Sequence, residues 1–385
     1  MKYLVLGSGM MGYALAYDLA RSRGTTSVTL ADIDLDRAKA AASRIPHGVV
    51  KPVQVDVTDE AAVVSLMRGH TAVGAAVSYR HNEALTRAAI RAGCHLCDLG
   101  GNDEVVARQR KHHREAVAAG VTIIPNCGLA PGLVNILAMG SLGEFDSVRS
   151  IRMRVGGLPQ HPLPPLNYQV TFSVEGLLNE YSGAAEVLRD GKRTTMEALT
   201  GLEEMTFPPP FNAMEAFITT GGASLLPELL EGKVAELDYK TIRYPGHCER
   251  FKLLLDVGFG SNDPVQAGSN IFTEREIFLE LLRRKLPNSG PDVVLLRVSI
   301  EGSKNNEPYR LSYDLVDFYD ASANITSMMR MTAFPTSVIL QQLAREVIQG
   351  KGVLAAEQCV PLAPLLEGLM ERGIKVHQSR DQQFG

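Results

Sequence analysis

No apolar run in this 385-residue chain reaches the ~18 residues needed to cross a bilayer. No long basic run is present either, and the net charge is −4, which argues against nucleic acid or an anionic membrane surface as the main partner. Cysteines are few and odd in number: Cys94, Cys97, Cys127, Cys248 and Cys359. That count fits reduced thiols and excludes a disulfide framework. Cys94 and Cys97 have metal-like spacing, but no second pair lies near them, and in a strand residues i and i+3 face opposite sides. No metal site is therefore expected. Internal repeats and low-complexity stretches are absent. The first strand begins almost at the first residue, leaving no room for a cleaved signal, so the cytoplasm is the expected location.

What the chain does have lies at its start. Residues 3–6 form a short apolar strand, followed at once by Gly7, Gly9 and Gly12 in G-x-G-x-x-G spacing, then a helical run and a second strand ending at Asp32. Each part serves a dinucleotide. Gly7 permits the tight turn, Gly9 lets the backbone approach a pyrophosphate, and Gly12 lets the helix pack closely on the sheet. The free N–H groups at the helix start, including those of Met10 and Met11, suit phosphate. Asp32 is placed to accept from both ribose hydroxyls and to repel a 2′-phosphate, which points to NAD as cofactor. Further strands at 49–57, 72–78, 95–99 and 121–124 alternate with helices, as in a doubly wound α/β sheet. Ligands sit at the carboxyl ends of such strands, so Asp56, Val57, Ser78, Tyr79 and Asn82 join the expected cofactor residues.

Beyond residue 130 the pattern changes to strands with long loops, expected at 148–155, 250–259, 293–300, 310–319 and 325–332, with a helix at 274–285. This reads as an α+β domain with a mostly antiparallel sheet, followed by closing helices at 336–349 and 362–372.

Several blocks resemble the lysine 6-dehydrogenases of the saccharopine dehydrogenase superfamily. They include Asp98-Leu-Gly-Gly101, Gly128-Leu-Ala-Pro-Gly132, Val155-Gly-Gly-Leu-Pro159, Phe172-Ser-Val-Glu-Gly-Leu-Leu178, Thr220-Gly-Gly222 and Tyr239-Lys-Thr-Ile-Arg-Tyr-Pro-Gly-His247. The resemblance covers nearly the whole chain. It implies NAD-dependent oxidation of the ε-amine of L-lysine, hydrolysis of the imine to ammonia and a semialdehyde that cyclises, a homodimer, and a substrate-binding and dimerisation domain at 131–332 inserted into a Rossmann domain made of 1–130 and 333–385. Saccharopine reductases carry Asp where this chain has Ala130 and Cys where it has Val155. Lysine dehydrogenases often carry Asp in place of Asn126, which questions an identical proton path.

Amine oxidation needs a neutral amine, and free lysine's ε-amine has a pKa of ~10.4. Asp98, ending the fifth strand before two glycines, and His247, after a Pro-Gly turn, are the candidate acid–base residues. Arg243 fits the substrate α-carboxylate with two parallel hydrogen bonds. Glu215 is the candidate for the α-ammonium. Thr220, Lys240, Gly156, Gly157 and Tyr168 complete the expected substrate set, with Glu175 and Thr219 as possible pocket walls. Two other readings compete: a saccharopine- or carboxynorspermidine-type reductase that condenses an amine with a semialdehyde, and a non-catalytic NAD-binding protein.

Overall fold

Strand β1 (Lys2–Leu6) holds Tyr3, Leu4, Val5 and Leu6 fully buried. A strand apolar on both faces belongs inside a parallel sheet covered by helices. The computed structural model describes residues 1–382 and places β1 at the centre of such a sheet. With β2 (Ser27–Asp32), β3 (Val50–Gln54), β4 (Ala72–Ala75), β5 (His95–Asp98), β6 (Thr122–Ile124) and the short strand Gly352–Val353, the order is Gly352–Val353, β6, β5, β4, β1, β2, β3. All pairs are parallel. The chain reverses its direction of winding between β1 and β4, which is where such sheets bind ligands.

The first unit comprises residues 1–143, 224–226 and 329–376. It runs past the expected limit at 130, because helix Leu133–Gly140 buries Leu133, Val134, Ile136 and Leu137 within it. Its C-terminal return is locked by charge. Arg372 Nε donates to both oxygens of Asp18 at 2.8 Å, with both side chains about one-tenth exposed. Removing one partner of a buried pair leaves the other desolvated and unpaired, at a cost of about 3 kcal/mol or more. Asp18→Ala is therefore expected to lower the melting temperature by roughly 6–12 °C, read by calorimetry.

The second unit comprises 144–223, 227–328 and 377–382 of the described residues. Its sheet contains β7 (Ser147–Pro159), β8 (Ala184–Arg189), β9 (Lys192–Glu197), β10 (Glu203–Phe207), β11 (Asn212–Ile218) and β12 (Val234–Arg243). A separate hairpin, β13 (Pro264–Ala267) and β14 (Asn270–Thr273), precedes β15 (Asp292–Lys304) and β16 (Glu307–Phe318). The main order is β10, β11, β12, β7, β15, β16, then His377–Asp381, with β8 and β9 attached at β12. Only β12 and β7 pair in parallel within it. The pairing of His377–Asp381 with β16 corrects the assignment of all of 333–385 to the Rossmann unit.

Two expected strands are helices. Residues 250–259 lie in helix His247–Leu254 and the π-type turn Leu255–Phe259. Phe251, Leu254, Leu255 and Phe259 fall on one helical stripe and pack with Tyr168, Tyr181 and Phe217. Residues 325–332 lead into helix Ser327–Ala344. Asp292 caps its start from β15, accepting from the Ser327 and Met328 amides at 2.6 and 2.9 Å. That cap comes from 35 residues away in sequence, so no local signal announces the helix. Among the described residues no helix is long and apolar enough to cross a membrane.

Candidate functional site

In the first unit the three glycines differ in what requires them. Gly7 has φ +92°, and a Cβ there would lie 2.5 Å from the Ala76 carbonyl oxygen. At Gly12 it would lie 1.8 Å from the Gly7 carbonyl oxygen. At Gly9 it would meet nothing within 4 Å. Gly7 and Gly12 build the turn, whereas Gly9 faces open space. Helix Met10–Arg21 starts from Gly9 without a side-chain cap, and Met10 is exposed. A pyrophosphate fits this helix start, its oxygens accepting from the N–H groups of the first turn. Gly9→Ala is expected to leave the melting temperature within about 1 °C while weakening NAD binding roughly tenfold or more, measured by calorimetric titration.

Asp32 sits at the carboxyl end of β2, 8% exposed. Its Oδ2 accepts from the Ser8 amide and hydroxyl at 2.7 and 2.8 Å, and Oδ1 accepts from the Asp34 amide at 3.0 Å. Burial pushes its pKa up, but these bonds and the nearby Arg37 outweigh it, and the carboxyl is held below the usual range. A carboxylate has about four acceptor sites. Three are taken, so Asp32 has room for one ribose hydroxyl while the Ser8 bonds persist, correcting the expectation of two. Asp56 is exposed and accepts from the Thr58 amide and hydroxyl of its own loop, with Val57 packed against the core. Ser78 precedes the helical turn Tyr79–His81, and the Tyr79 ring lies 3.1 Å from where a Gly101 Cβ would stand. Asn82 is buried, with its Oδ1 lacking a hydrogen-bond partner.

Asp98 is 1% exposed. Its Oδ1 accepts from the Gly100 and Asn126 amides and its Oδ2 from Gln109 Nε2, at 2.8, 3.2 and 2.8 Å. Burial raises its pKa against the pull of those bonds. Both oxygens are spent holding the loops after β5 and β6, which corrects the acid–base reading and makes Asp98 a positioning residue. Asn126 stands beside it at φ +59°, donating to Ser224 Oγ at 3.1 Å, with its own buried Oδ1 lacking a partner among the described residues.

In the second unit, Tyr239, Thr241 and Arg243 alternate along one face of β12, under helices Val174–Glu180 and His247–Leu254. Arg243 is 2% exposed. Its guanidinium lies 4.9 Å from the Tyr168 ring centroid and 5.7 Å from that of Tyr181. Nε donates to Tyr181 Oη at 2.7 Å and Nη1 to the Ile242 carbonyl at 2.9 Å. Among the described residues Nη2 donates to nothing. His247 completes the arrangement. Its Nδ1 lies 2.8 Å from the Leu166 carbonyl, which can only accept, so Nδ1 carries the proton and Nε2 accepts from Tyr181 Oη at 3.0 Å. Burial, then the neighbouring Arg243 charge, push the His247 pKa down to about 3. An imidazole this reluctant to gain a proton is no acid–base group near neutrality. His247 instead orients Tyr181, and through it Arg243.

Matches to family models account for both units. Residues 3–124 match the saccharopine dehydrogenase NADP binding domain, and 128–374 match the saccharopine dehydrogenase C-terminal domain. The chain belongs to the saccharopine dehydrogenase family. It is 23% identical over 455 residues to the NADP(+), L-glutamate-forming saccharopine dehydrogenase of Schizosaccharomyces pombe, covering 97% of this chain and 98% of that one. The enzyme of the same name from Pyricularia oryzae is 27% identical over 271 residues, covering 68% of this chain and 58% of that relative's length. In fold, the chain matches apo saccharopine dehydrogenase (L-Glu forming) from Saccharomyces cerevisiae with a TM-score of 0.82 at 20% identity, over 99% of both chains.

Family membership does not bring all the expected substrate residues together. Lys240 is on the opposite face of β12 from Arg243, paired with Glu203 at 2.6 Å beside Arg154, and is corrected as a substrate ligand. Glu215 lies opposite Arg243 in the β11–β12 register, but its oxygens accept from the Gly246 and Cys248 amides at 2.7 and 2.6 Å. It caps helix His247–Leu254 with two of its about four acceptor sites. The absence of Cβ at Gly156 and Gly157 is explained by protein neighbours, Ile242 and Met328, rather than by a ligand. Thr220 Oγ1 donates to the Asn179 carbonyl at 3.0 Å and its amide to that of Glu180 at 2.9 Å, tying down the end of helix Val174–Glu180. Thr219 Oγ1 bonds Thr241 Oγ1, and Glu175 pairs with Arg283 at the surface. Tyr168 remains in the site, with its buried hydroxyl lacking a hydrogen-bond partner among the described residues.

Two residues were missed by the sequence reading. Tyr181 links His247 to Arg243, and Glu180 precedes it. The carboxyl of Glu180 makes no hydrogen bond or direct ion pair among the described residues, although it is within electrostatic reach of Arg243. The one available signal was Asn179-Glu180-Tyr181, directly after the block ending at Leu178.

Proposed function

We propose that the chain is an NAD-dependent amine dehydrogenase that oxidises the ε-amine of L-lysine. The products are ammonia and 2-aminoadipate 6-semialdehyde, which closes to piperideine-6-carboxylate. The observation that carries this reading is Arg243, a buried cation with an uncommitted Nη2 among aromatic rings. A buried charge of this kind is satisfied by an anion, and a substrate carboxylate matches the guanidinium fork. A nicotinamide cofactor held at the Gly7–Gly12 turn and Asp32 would supply the hydride acceptor for the carbon bearing the amine. The protein holds the carboxylate through Arg243, fixes that side chain through Tyr181 and His247, and surrounds the aliphatic stem with Tyr168 and its neighbours. NAD rather than NADP follows from Asp32, whose charge repels a 2′-phosphate. We also propose a homodimer and a cytoplasmic location.

A second reading draws on relatives whose names specify NADP(+) and L-glutamate-forming saccharopine oxidation. In that reading the substrate carries additional carboxylates, and Arg37, near Asp32, is the cation available for a 2′-phosphate. Formation of reduced cofactor at 340 nm separates the two. L-lysine, D-lysine, L-ornithine, L-saccharopine and cadaverine are each offered with NAD or NADP at mildly alkaline pH. Turnover of L-lysine with NAD and stoichiometric ammonia is expected. Turnover of saccharopine alone moves the chain to the second reading, and cofactor binding without any turnover leaves a non-catalytic nucleotide-binding protein.

A further inference from the structure

The face of the second unit's sheet opposite Arg243 has no part in the substrate site. Along β16, Tyr309, Leu311, Tyr313 and Leu315 are buried, while Arg310, Ser312 and Asp314 alternate with them toward the other side. An antiparallel sheet often leaves one face to water. Here that face is shaped and charged. Two hollows of about 400 and 380 Å³ run across it, lined by arginines and carboxylates. Several of those charges are already withdrawn from solvent, Arg154 being 3% exposed and Glu301 4%.

Strand register arranges the charges in a pattern. Ser299 on β15 lies opposite Ser312 on β16, with the hydroxyls 3.3 Å apart. On one side of this pair, Glu301 lies opposite Arg310, bonded at 2.8 Å. On the other side, Arg297 lies opposite Asp314, bonded at 2.6 Å. Around the two serines the four charges therefore alternate in sign, acid and base in one row, base and acid in the next. A two-fold axis lying in the plane of the face and passing through the serine pair exchanges either the rows or the strands. Both exchanges set every acid of one copy over a base of the other. Glu301 meets Arg297 or Arg310, and Asp314 meets Arg310 or Arg297. A surface that complements itself under a two-fold axis is an isologous interface. A foreign partner would need the inverse pattern, whereas a second copy already carries it.

We propose that a second copy of this chain packs face to face on this surface, with the two-fold axis through the Ser299–Ser312 pair. This deepens the homodimer proposed above by naming its interface. The face extends over β8, β12, β7, β15, β16 and His377–Asp381. Six strands at about 4.8 Å and three rows of side chains at about 6.8 Å cover roughly 30 by 20 Å, so two copies bury about 1,200 Å², the lower end of stable interfaces. Arg297, Asp314 and Arg310 are each about one-third exposed in the single chain. In the dimer each gains a second opposite charge as it loses water, which is the condition for burying an ion pair without loss. Tyr239, Thr241 and Arg243 point to the other side of β12 from Asp238, which bonds Arg154 on this face at 2.6 Å. A dimer formed here leaves the Arg243 side free.

The test uses the axis itself. Ser312→Glu and Ser312→Lys each bring two like charges together beside the two-fold, and neither breaks an ion pair within the chain. Sedimentation velocity is run on wild type, on each variant, and on an equimolar mixture of the two variants, at about 1–50 μM. Wild type is expected to be a dimer. Each variant alone should dimerise at least about 100-fold more weakly, because like charges across an interface are strongly unfavourable. The mixture should regain the wild-type dimer, since a Glu in one copy then faces a Lys in the other. That recovery also shows both variants to be folded. Variants that dimerise as tightly as wild type would overturn this interface while leaving a homodimer through another surface. A mixture that stays monomeric would overturn the placement of the axis. A wild type that is monomeric throughout would overturn the interface and the homodimer together.

Discussion

Arg243→Lys should raise the KM for L-lysine about 100-fold or more and leave the KM for NAD within about twofold. The size follows from what a lysine would lack. The guanidinium is held by two directed hydrogen bonds, Nε to Tyr181 Oη and Nη1 to the Ile242 carbonyl, and it lies over the Tyr168 ring. This leaves Nη2 with a fixed direction. An ammonium on a flexible stem can satisfy one of those partners but not both, and it offers a carboxylate a point charge in place of a planar fork. Loss of a charge-assisted bond in a buried site costs about 2–5 kcal/mol, and 2.7 kcal/mol is a factor of about 100. The cofactor comparison makes the test specific, since a merely misfolded variant would raise both constants. Steady-state kinetics with each substrate varied in turn reads it, and equal changes in the two constants would remove Arg243 from the substrate site.

The uneven legibility of the two units has a physical basis. The nucleotide half announces itself because its functional parts are consecutive: strand, glycines, helix, strand and acid occupy residues 2–32 in unbroken order. Gly12 is required by a backbone contact only five residues away, at Gly7, so local spacing carries much of the three-dimensional information. The second unit works differently. Arg243 is visible as an arginine in an alternating strand, but its partner Tyr181 lies 62 residues earlier, just past the end of helix Val174–Glu180, where no local motif marks it. Glu215 and Lys240 look equally chemical in sequence. Only sheet register shows that one caps a helix and the other turns to the opposite face. His247 was legible as a functional position but not in its role, because a histidine's proton affinity depends on burial that spacing cannot report. Asp98 fails for the same reason, its carboxylate being consumed by amides and an amide side chain that arrive from three separate segments.

The cofactor preference gives the other large effect. Asp32→Ala should raise the KM for NAD about 10–100-fold and reduce the ratio of kcat/KM for NAD over NADP by about 100-fold. Two separate losses combine. The ribose loses a charged acceptor, worth about 1.5–3 kcal/mol in a buried site. The Ser8 amide and hydroxyl also lose the oxygen that holds the glycine-rich turn, so the helix start is less ordered for either cofactor. Only the first loss favours NADP, because removing the carboxylate removes its repulsion of the 2′-phosphate while Arg37 remains nearby. Ser8→Ala separates the two contributions. It removes the hydroxyl bond but leaves the amide bond and the charge, so it should weaken NAD and NADP alike, by about fivefold or less, without altering their ratio. A changed ratio in Ser8→Ala would show that loop order, and not the Asp32 charge, selects the nucleotide. An unchanged ratio in Asp32→Ala would place the ribose away from β2 altogether.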